Sequence, residues 1–160
     1  MSLKFNIRHL EQNNLSLQGE LSAAELEIES LDELIHFEEP LVYELELQKM
    51  ENAVLAQGTL RVVLHCECAR CLKAFHRELS LEGWACHLPL KGDEKVEVVN
   101  DVVDLTAFIR EDIVLSLPQQ PLCEPECRGL QSPIKTLGSG GVEKKDLTTP
   151  AWAELNKLKL

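Results

Sequence analysis

The sequence predicts an α+β fold, in which an antiparallel β-sheet meander is followed by one packed helix and a short C-terminal helix. Two patterns lead to this prediction. Apolar and polar residues alternate in long runs between positions 41 and 90, and a helical stripe of apolar residues occupies positions 104–117. Strand patterns that are grouped before helical ones favour an α+β arrangement over a doubly wound α/β fold.

Three strand runs form the centre of the predicted sheet, at residues 41–48, 53–66 and 74–90. In each run apolar residues alternate with polar ones, which is typical of a strand with one buried face. The third run changes phase after Gly83, as a β-bulge would cause. Because only short turns separate the runs, we expect the three strands to form an antiparallel meander.

The segments that flank this sheet have weaker patterns. Residues 3–8 alternate like a half-buried strand, and residues 22–34 are interpreted as a short helix, although their Glu-x-Glu alternation leaves a strand open. For the main helix, Asp104 is a suitable N-cap and Pro118 is a stop signal. The helix is therefore predicted to lie between these two residues.

We predict that the chain has three parts: a single α+β domain at residues 1–134, a flexible linker at 135–148 and a C-terminal helix at 149–160. The linker contains GSGGVEKKD, in which small and charged residues dominate. The last helix would have Thr149 as its N-cap and Pro150 at its first helical position.

The composition is that of a soluble globular protein with 160 residues, 44% hydrophobic residues and a net charge of −11. Such a charge argues against a protein that coats nucleic acid broadly, because phosphate binding requires clustered Lys and Arg. The charge is uneven: residues 20–46 contain ten acidic and no basic residues, whereas residues 61–77 contain four basic ones. This pattern suits docking on a basic partner with limited RNA contact, although two solvated faces are the simpler interpretation.

The cellular compartment follows from features that the sequence lacks. It has no run of about 18 apolar residues, and its N-terminus does not have the pattern of a signal peptide. We therefore expect a cytoplasmic protein with no membrane association, whose thiols stay reduced. This expectation argues against a disulfide framework.

Five of the six cysteines lie in two short runs, CECARC at 66–71 and CEPEC at 123–127. One interpretation is a zinc site that combines a Cys-x-x-Cys pair with a Cys-x-x-x-Cys pair. Its four ligands would be Cys68, Cys71, Cys123 and Cys127.

Two other interpretations of the cysteines stay open. A redox pair at Cys68 and Cys71 would lack the helix N-terminus that normally lowers the pKa of a reactive thiol. Inert burial is the third interpretation, and it is preferred for Cys66 and Cys86 because each lies on an apolar strand face.

The sequence gives little reason to expect an enzyme. Its GSGG segment follows no strand and precedes no Lys-Ser or Lys-Thr, so it does not predict a phosphate-binding loop. A G-x-S-x-G nucleophile motif is absent as well. His65, His76 and His87 lie in strand-like runs without obvious carboxylate partners. We therefore predict a protein that acts without catalysis.

Several short motifs follow one another along the chain. The first is CARCLKAF at 68–75, which has the form C-x-R-C-L-x-x-F, and the last is TPAWAEL at 149–155. The motifs between them are Asp104-Leu105, Ile109-Arg110-Glu111, Leu117-Pro118, Pro121-Leu122-Cys123 and Cys127-Arg128-Gly129-Leu130. In this order they resemble the motifs of the YceD family, which is also known as domain of unknown function 177. The family's last helix usually has Arg where this chain has Ala151.

This resemblance implies a non-enzymatic factor that supports large ribosomal subunit assembly and the accumulation of 23S ribosomal RNA. The implied partner is a ribosomal protein or a precursor of the large subunit, with limited contact to RNA. We expect Arg70, Lys73 and Arg77 to contact it because they cluster at one end of the meander, where loops carry function. Arg70 could instead brace its turn through hydrogen bonds to nearby carbonyls. The alternative function is a zinc- or thiol-dependent regulatory module unrelated to ribosomes.

The chain departs from the family pattern after its second cysteine pair. Many members have two further cysteines, and this chain has Gln131 and Ile134 at those positions, followed by Lys135 where Gly is usual. If those cysteines belong to a family metal site, half of that site is missing here. We therefore predict either no cofactor or one zinc ion held by the two cysteine pairs, and the loss of two cysteines favours the metal-free form.

Overall fold

The computed structural model describes residues 3–11, 13–29 and 31–130. These residues form an α+β structure that is mainly antiparallel sheet with one α-helix. The predicted linker at 135–148 and the predicted C-terminal helix at 149–160 lie outside the described residues. Those two elements, and the extent of the domain that we predict at 1–134, stay predictions.

Seven strands, one 3₁₀ helix and one α-helix occur within the described residues. The strands are β1 (Lys4–Asn6), β2 (Leu15–Leu21), β3 (Ile35–His36), β4 (Leu41–Lys49), β5 (Ala53–Glu67), β6 (Ala74–Pro89) and β7 (Val102–Asp104). The 3₁₀ helix is Ile7–Leu10 and the α-helix is α1 (Thr106–Ser116). Within the part of the chain described here, no helix has both the length and the hydropathy that crossing a membrane requires.

The main sheet has five strands, and β5 is its central member. β5 pairs with β6 along its whole length, with β4 over residues 54–61, and with β3 near its end. β2 continues the sheet beyond β4. The consecutive antiparallel pairing of β4, β5 and β6 agrees with the predicted meander, whose alternation arises because one face of the sheet is buried.

A β-bulge interrupts the pairing of β5 with β6 at the predicted place. Gly58 is paired with Trp84 and Thr59 with Glu82, so Gly83 is the additional residue of β6. Gly83 has φ +72°, a left-handed conformation that glycine adopts at little cost. The bulge shifts the phase of β6 so that Trp84 turns into the core, where it is 7% exposed.

The hydrophobic core lies between the inner face of this sheet and α1. Ile109 and Ile113 of α1 are fully buried in it, and Phe5 and Val103 contribute from the small β1–β7 sheet. A polar contact also joins the two layers, because Trp84 Nε1 donates a hydrogen bond to Asp112 Oδ2 over 2.6 Å.

The helix starts slightly later than predicted, and its cap differs. Asp104 is the last residue of β7, and Leu105 occupies the N-cap position without a side-chain hydrogen bond. Asp104 Oδ1 still accepts a hydrogen bond from the backbone N–H of Thr106 at 2.9 Å. Because Asp104 is paired with Lys4 of β1, the observed cap, Leu105, lies one position downstream of the cap that we predicted.

Two flanking predictions need correction. Only residues 4–6 of the predicted strand at 3–8 are extended, because the backbone N–H of Ile7 bonds to Asp101 O and the chain turns into the 3₁₀ helix. The predicted helix at 22–34 is wrong: its described residues form turns. Glu27 adopts φ +53°, which ends the first turn and lets the core bury the neighbouring apolar side chains.

β2 is a strand that the sequence analysis does not predict. Its alternation is interrupted by Gly19, which weakens a strand pattern. In the sheet Gly19 is paired with Tyr43 of β4, and a Cβ atom there would lie 2.7 Å from the Tyr43 hydroxyl oxygen. The ring of Tyr43 thus lies over Gly19, and its hydroxyl end would have to move to admit a larger residue.

Candidate metal centre

The turn between β5 and β6 brings the first cysteine pair to one side of the backbone. Cys68 N donates to Lys73 O and Leu72 N donates to Cys68 O, each over 2.9 Å. Leu72 closes this turn at φ +60°, a left-handed conformation that is uncommon for leucine. Because the chain folds back so tightly, Cys68 and Cys71 face the same neighbouring segment.

That segment is the loop after α1, and backbone contacts fix it against the turn. Ala69 N donates to Pro121 O over 2.8 Å, and Arg70 Nη1 donates to Cys127 O over 2.9 Å. Gly129 has φ +83° and passes so near the turn that a Cβ atom there would be 3.5 Å from Arg70 O. These contacts place the second cysteine pair opposite the first.

The four sulfur atoms of Cys68, Cys71, Cys123 and Cys127 form one compact cluster. Cys68 Sγ lies 3.7 Å from Cys127 Sγ, and Cys71 Sγ lies 3.6 Å from Cys123 Sγ. All four sulfur atoms are within 4.8 Å of one another. Four thiolates at the Zn–S distance of about 2.3 Å around a tetrahedral ion are separated by about 3.8 Å. The residues present therefore fit a zinc ion, and no pair is joined as a disulfide.

Hydrogen bonds and burial shift the pKa values of thiols in this cluster in opposite directions. The backbone N–H of Cys123, assisted by those of Cys71 and Arg70, lowers the pKa of the Cys68 thiol to about 6. Burial, together with the smaller effect of the neighbouring thiols, raises the pKa of the Cys123 thiol to about 12. The cluster therefore holds a thiolate beside a thiol that keeps its proton. A divalent cation can take the place of such protons.

The pKa of the Cys127 thiol is also raised, although opposing influences act on it. The backbone N–H of Gly129 lowers this pKa, whereas burial and the neighbouring thiols of Cys71 and Cys68 raise it and outweigh that effect. Cys68 is fully buried, and the other three cysteines of the cluster are partly buried.

The three predicted contact residues do not form one uniform patch. Arg70 lies in the turn and holds the cysteine loop through Cys127 O, which is the bracing role considered above. Lys73 ends the same turn, and its side chain is exposed. Arg77 lies on β6 opposite Leu64, on the inner face of the sheet, and its charge partly offsets the effect of burial, which raises the pKa of the Cys66 thiol. Contact of these three residues with a partner stays a prediction.

The two remaining cysteines lie outside the cluster, as expected. Cys66 is buried in the core, and burial raises its pKa. Burial also raises the pKa of the Cys86 thiol to about 11, and the carboxylates of Asp112 and Glu111 add to this rise. Both thiols therefore stay protonated at neutral pH, as inert side chains do.

The sequence analysis finds no carboxylate partners for the strand histidines, and for His65 this is wrong. Glu38 Oε2 lies 3.2 Å from His65 Nδ1, and Glu39 Oε1 lies 3.8 Å from His65 Nε2. The glutamates follow β3, a two-residue strand that is too short to give a periodic signal. The same pairing of β5 with β6 places His65 directly opposite His76.

An α+β domain with a four-cysteine cluster at the end of its longest hairpin defines a class of protein that can carry a structural metal ion. The chain belongs to the YceD family: the family model, described as "Large ribosomal RNA subunit accumulation protein YceD", matches residues 56–159. The match includes both cysteine pairs and α1. No solved structure matches the chain.

The similar curated proteins are mycobacterial and bear the name "uncharacterized protein". Those of Mycobacterium bovis and Mycobacterium tuberculosis are 29% identical over 135 residues, which cover 77% of this chain and 65% of theirs. The protein of Mycobacterium leprae is 26% identical over 134 residues, which cover 78% of this chain and 62% of the relative. The chain thus spans less than two thirds of the length of these relatives.

Proposed function

We propose that this protein is a non-enzymatic factor that supports assembly of the large ribosomal subunit and accumulation of its 23S RNA. Its membership of the YceD family is the observation that carries this proposal, because the family description names large ribosomal RNA subunit accumulation. The protein would act by binding a ribosomal protein, a precursor particle or a short stretch of RNA.

The end of the β5–β6 hairpin is the contact surface in this proposal. Lys73 and Arg77 are exposed there, and neither forms an ion pair within the described residues. Exposed basic side chains of this kind are available for phosphate groups or for an acidic protein surface. The acidic segment at 20–46 would face a basic ribosomal protein. Arg70 acts indirectly, since it holds the cysteine loop in place.

We also propose that the four-cysteine cluster binds one zinc ion with a structural role. The sequence analysis favours a metal-free form, but the sulfur separations of 3.6 and 3.7 Å and the lowered pKa of Cys68 support zinc. The ion would fix the loop at 121–130 on the hairpin turn and thereby shape the contact surface. We expect protein that is purified without chelator to contain about one zinc ion per chain. A Cys127→Ser variant should contain less zinc.

A test of the ribosomal function compares large- and small-subunit RNA in cells depleted of the protein. We expect the large-subunit RNA to fall selectively and the wild-type chain to restore it. A Lys73→Ala/Arg77→Ala double variant should restore it less well than a Lys91→Ala/Lys95→Ala control, which removes the same charge from an exposed loop. An unchanged RNA ratio under full depletion would contradict the proposal.

A thiol-dependent regulatory module is the second candidate, and the Cys68 pKa of about 6 is the observation that favours it. Its weakness is access, because Cys68 has no exposed surface. Co-sedimentation with large-subunit precursors separates the two candidates. If a Cys68→Ser variant that keeps its fold still co-sediments and restores the RNA ratio, thiol chemistry is not needed for the function.

A further inference from the structure

A second group of potential metal ligands lies on the outer face of the sheet, away from the cysteines. His36, His65 and His76 belong to β3, β5 and β6, and they are direct partners in the strand register. Directly paired residues of antiparallel strands point to the same face. Since Leu64 and Cys66 on either side of His65 are buried in the core, the histidine row lies on the opposite face.

Two ligand atoms approach His65 Nδ1 from different residues. His76 Nε2 is 3.1 Å away and Glu38 Oε2 is 3.2 Å away. Ligand atoms at about 2.0–2.1 Å from a tetrahedral first-row ion are about 3.3 Å apart, so both separations match such a site. The Glu38 side chain is 67% exposed and can turn toward His76 to complete the set.

Hydrogen bonds from the ring protons alone do not pair all three of these atoms well. A neutral imidazole carries its proton on one ring nitrogen, and a proton on His65 Nδ1 would have to be shared between its two neighbours. With the proton on Nε2 instead, the lone pair of Nδ1 faces the carboxylate of Glu38. A divalent cation held by Nδ1 and His76 Nε2 would pair both nitrogens, and the exposed carboxylate of Glu38 would join them after its side chain turns toward His76.

The second ring nitrogen of His65, Nε2, also has the surroundings expected of a histidine that binds a metal. Nε2 is buried and has no hydrogen-bond partner within the described residues. Glu39 Oε1 lies 3.8 Å from it, close enough to accept its proton after a small movement. A histidine that binds a metal commonly donates its second N–H to a carboxylate, which fixes the tautomer and the ring orientation.

We propose that His65 Nδ1, His76 Nε2 and Glu38 Oε2 bind one divalent transition-metal ion of the kind that imidazole prefers, such as Zn²⁺, Ni²⁺ or Cu²⁺. Glu39 orients His65, and water completes the coordination. The site is open to solvent on the outer face, so the ion exchanges there, and it is independent of the four-cysteine cluster.

The test uses Ni²⁺ alone as the probe, added to full-length protein that carries one equivalent of Zn²⁺ for its cysteine cluster and from which all excess Zn²⁺ has been removed. Calorimetry should detect one saturable equivalent of Ni²⁺. The imidazole proton resonances of His65 and His76 should broaden together, because Ni²⁺ is paramagnetic. His87, which lies on β6 opposite Leu55, is exposed and should keep sharp resonances.

Variants that each change one histidine or one glutamate test whether these residues bind the ion. His76→Gln and Glu38→Gln change exposed side chains and should weaken Ni²⁺ binding by at least about tenfold, the loss that removal of even an outer partner causes. His87→Gln should leave binding unchanged. Thermal unfolding checks that each variant is folded. If Ni²⁺ binds His76→Gln as tightly as wild type, or if all histidines broaden equally without saturation, the proposal is overturned.

Discussion

The side chain of Trp84 links the sheet to the helix through a hydrogen bond. Its ring lies in the core at 7% exposure, and its indole N–H is donated to Asp112 Oδ2 at 2.6 Å. Because the acceptor is a carboxylate and the donor is buried, loss of the acceptor leaves an unpaired polar group in the core.

We therefore expect Asp112→Ala to lower the free energy of unfolding by about 1–3 kcal/mol. Glu111→Ala is the control, since it removes the same charge from the adjacent, exposed position and should change stability by less than about 0.5 kcal/mol. Urea denaturation that is monitored by Trp84 fluorescence measures both. If both variants lowered the free energy of unfolding equally, the lost charge and not the lost hydrogen bond would explain the change.

For single residues, the sequence predicts the role of a side chain when that role depends on residues close to it in the chain. Cys68 and Cys71 are recognisable as a pair, and the apolar strand positions correctly indicate that Cys66 is buried, whereas Cys86 is only partly buried. Partners that come from distant segments are not recognisable in this way. The approach of Glu38 to His65 depends on a two-residue strand, which has no detectable period.

Among the elements, the β5–β6 hairpin carries two glycines at its bulge, and they have different roles. A Cβ atom on Gly58 would lie 2.0 Å from the backbone oxygen of Glu44 on β4, whereas a Cβ atom on Gly83 would meet nothing within 4 Å. Gly58 is therefore required for the close approach of strands, and Gly83 only for its left-handed conformation.

This difference predicts that Gly58→Ala destabilises the protein by more than Gly83→Ala does. The first change pushes β4 from β5 and should cost about 3 kcal/mol or more. The second should cost about 1–2 kcal/mol, the penalty of a left-handed alanine. Thermal unfolding of the two variants provides the measurement. A larger loss for Gly83→Ala would show that the bulge conformation, and not interstrand space, limits stability.

The elements that the sequence predicts well are those with many residues and one buried face. β4, β5 and β6 give alternation over 9, 15 and 16 residues, and α1 gives a helical stripe over 11. β2 is harder to predict because Gly19 breaks its pattern. The turns after Ser22 resemble a helix locally, and tertiary burial of Leu26 and Ile28 decides against it.

For the molecule as a whole, the four-cysteine cluster joins the hairpin to a loop that follows the entire sheet and α1. Within residues 3–130 as described, the hydrogen bonds that join this loop to the hairpin turn outside the sulfur cluster are one from the backbone of Ala69 and one from the side chain of Arg70. Sequence can identify the two cysteine pairs but not their meeting, because the separations of 52 and 59 residues give no local signal.

If zinc holds this loop, its removal should have a local and a global effect. With zinc at about 1,000 times its dissociation constant, the ion stabilises the fold by about 4 kcal/mol. Chelation should therefore lower the Tm by about 10 °C and make residues 121–130 sensitive to protease, while the sheet stays folded. A Cys127→Ser variant should show no further loss on chelation, and Cys86→Ser should respond like wild type. A wild-type Tm that chelator leaves unchanged would support the metal-free form.

The distance along the chain between the two cysteine pairs also sets an order of events during folding. The segment between them contains β6, β7 and α1, so folding of that segment removes the loop-closure entropy that the two pairs must otherwise overcome to meet. A partly folded chain offers an incoming ion two thiolates instead of four, and it holds that ion weakly. If the cluster binds zinc, folded molecules would therefore retain the ion more tightly than partly folded ones.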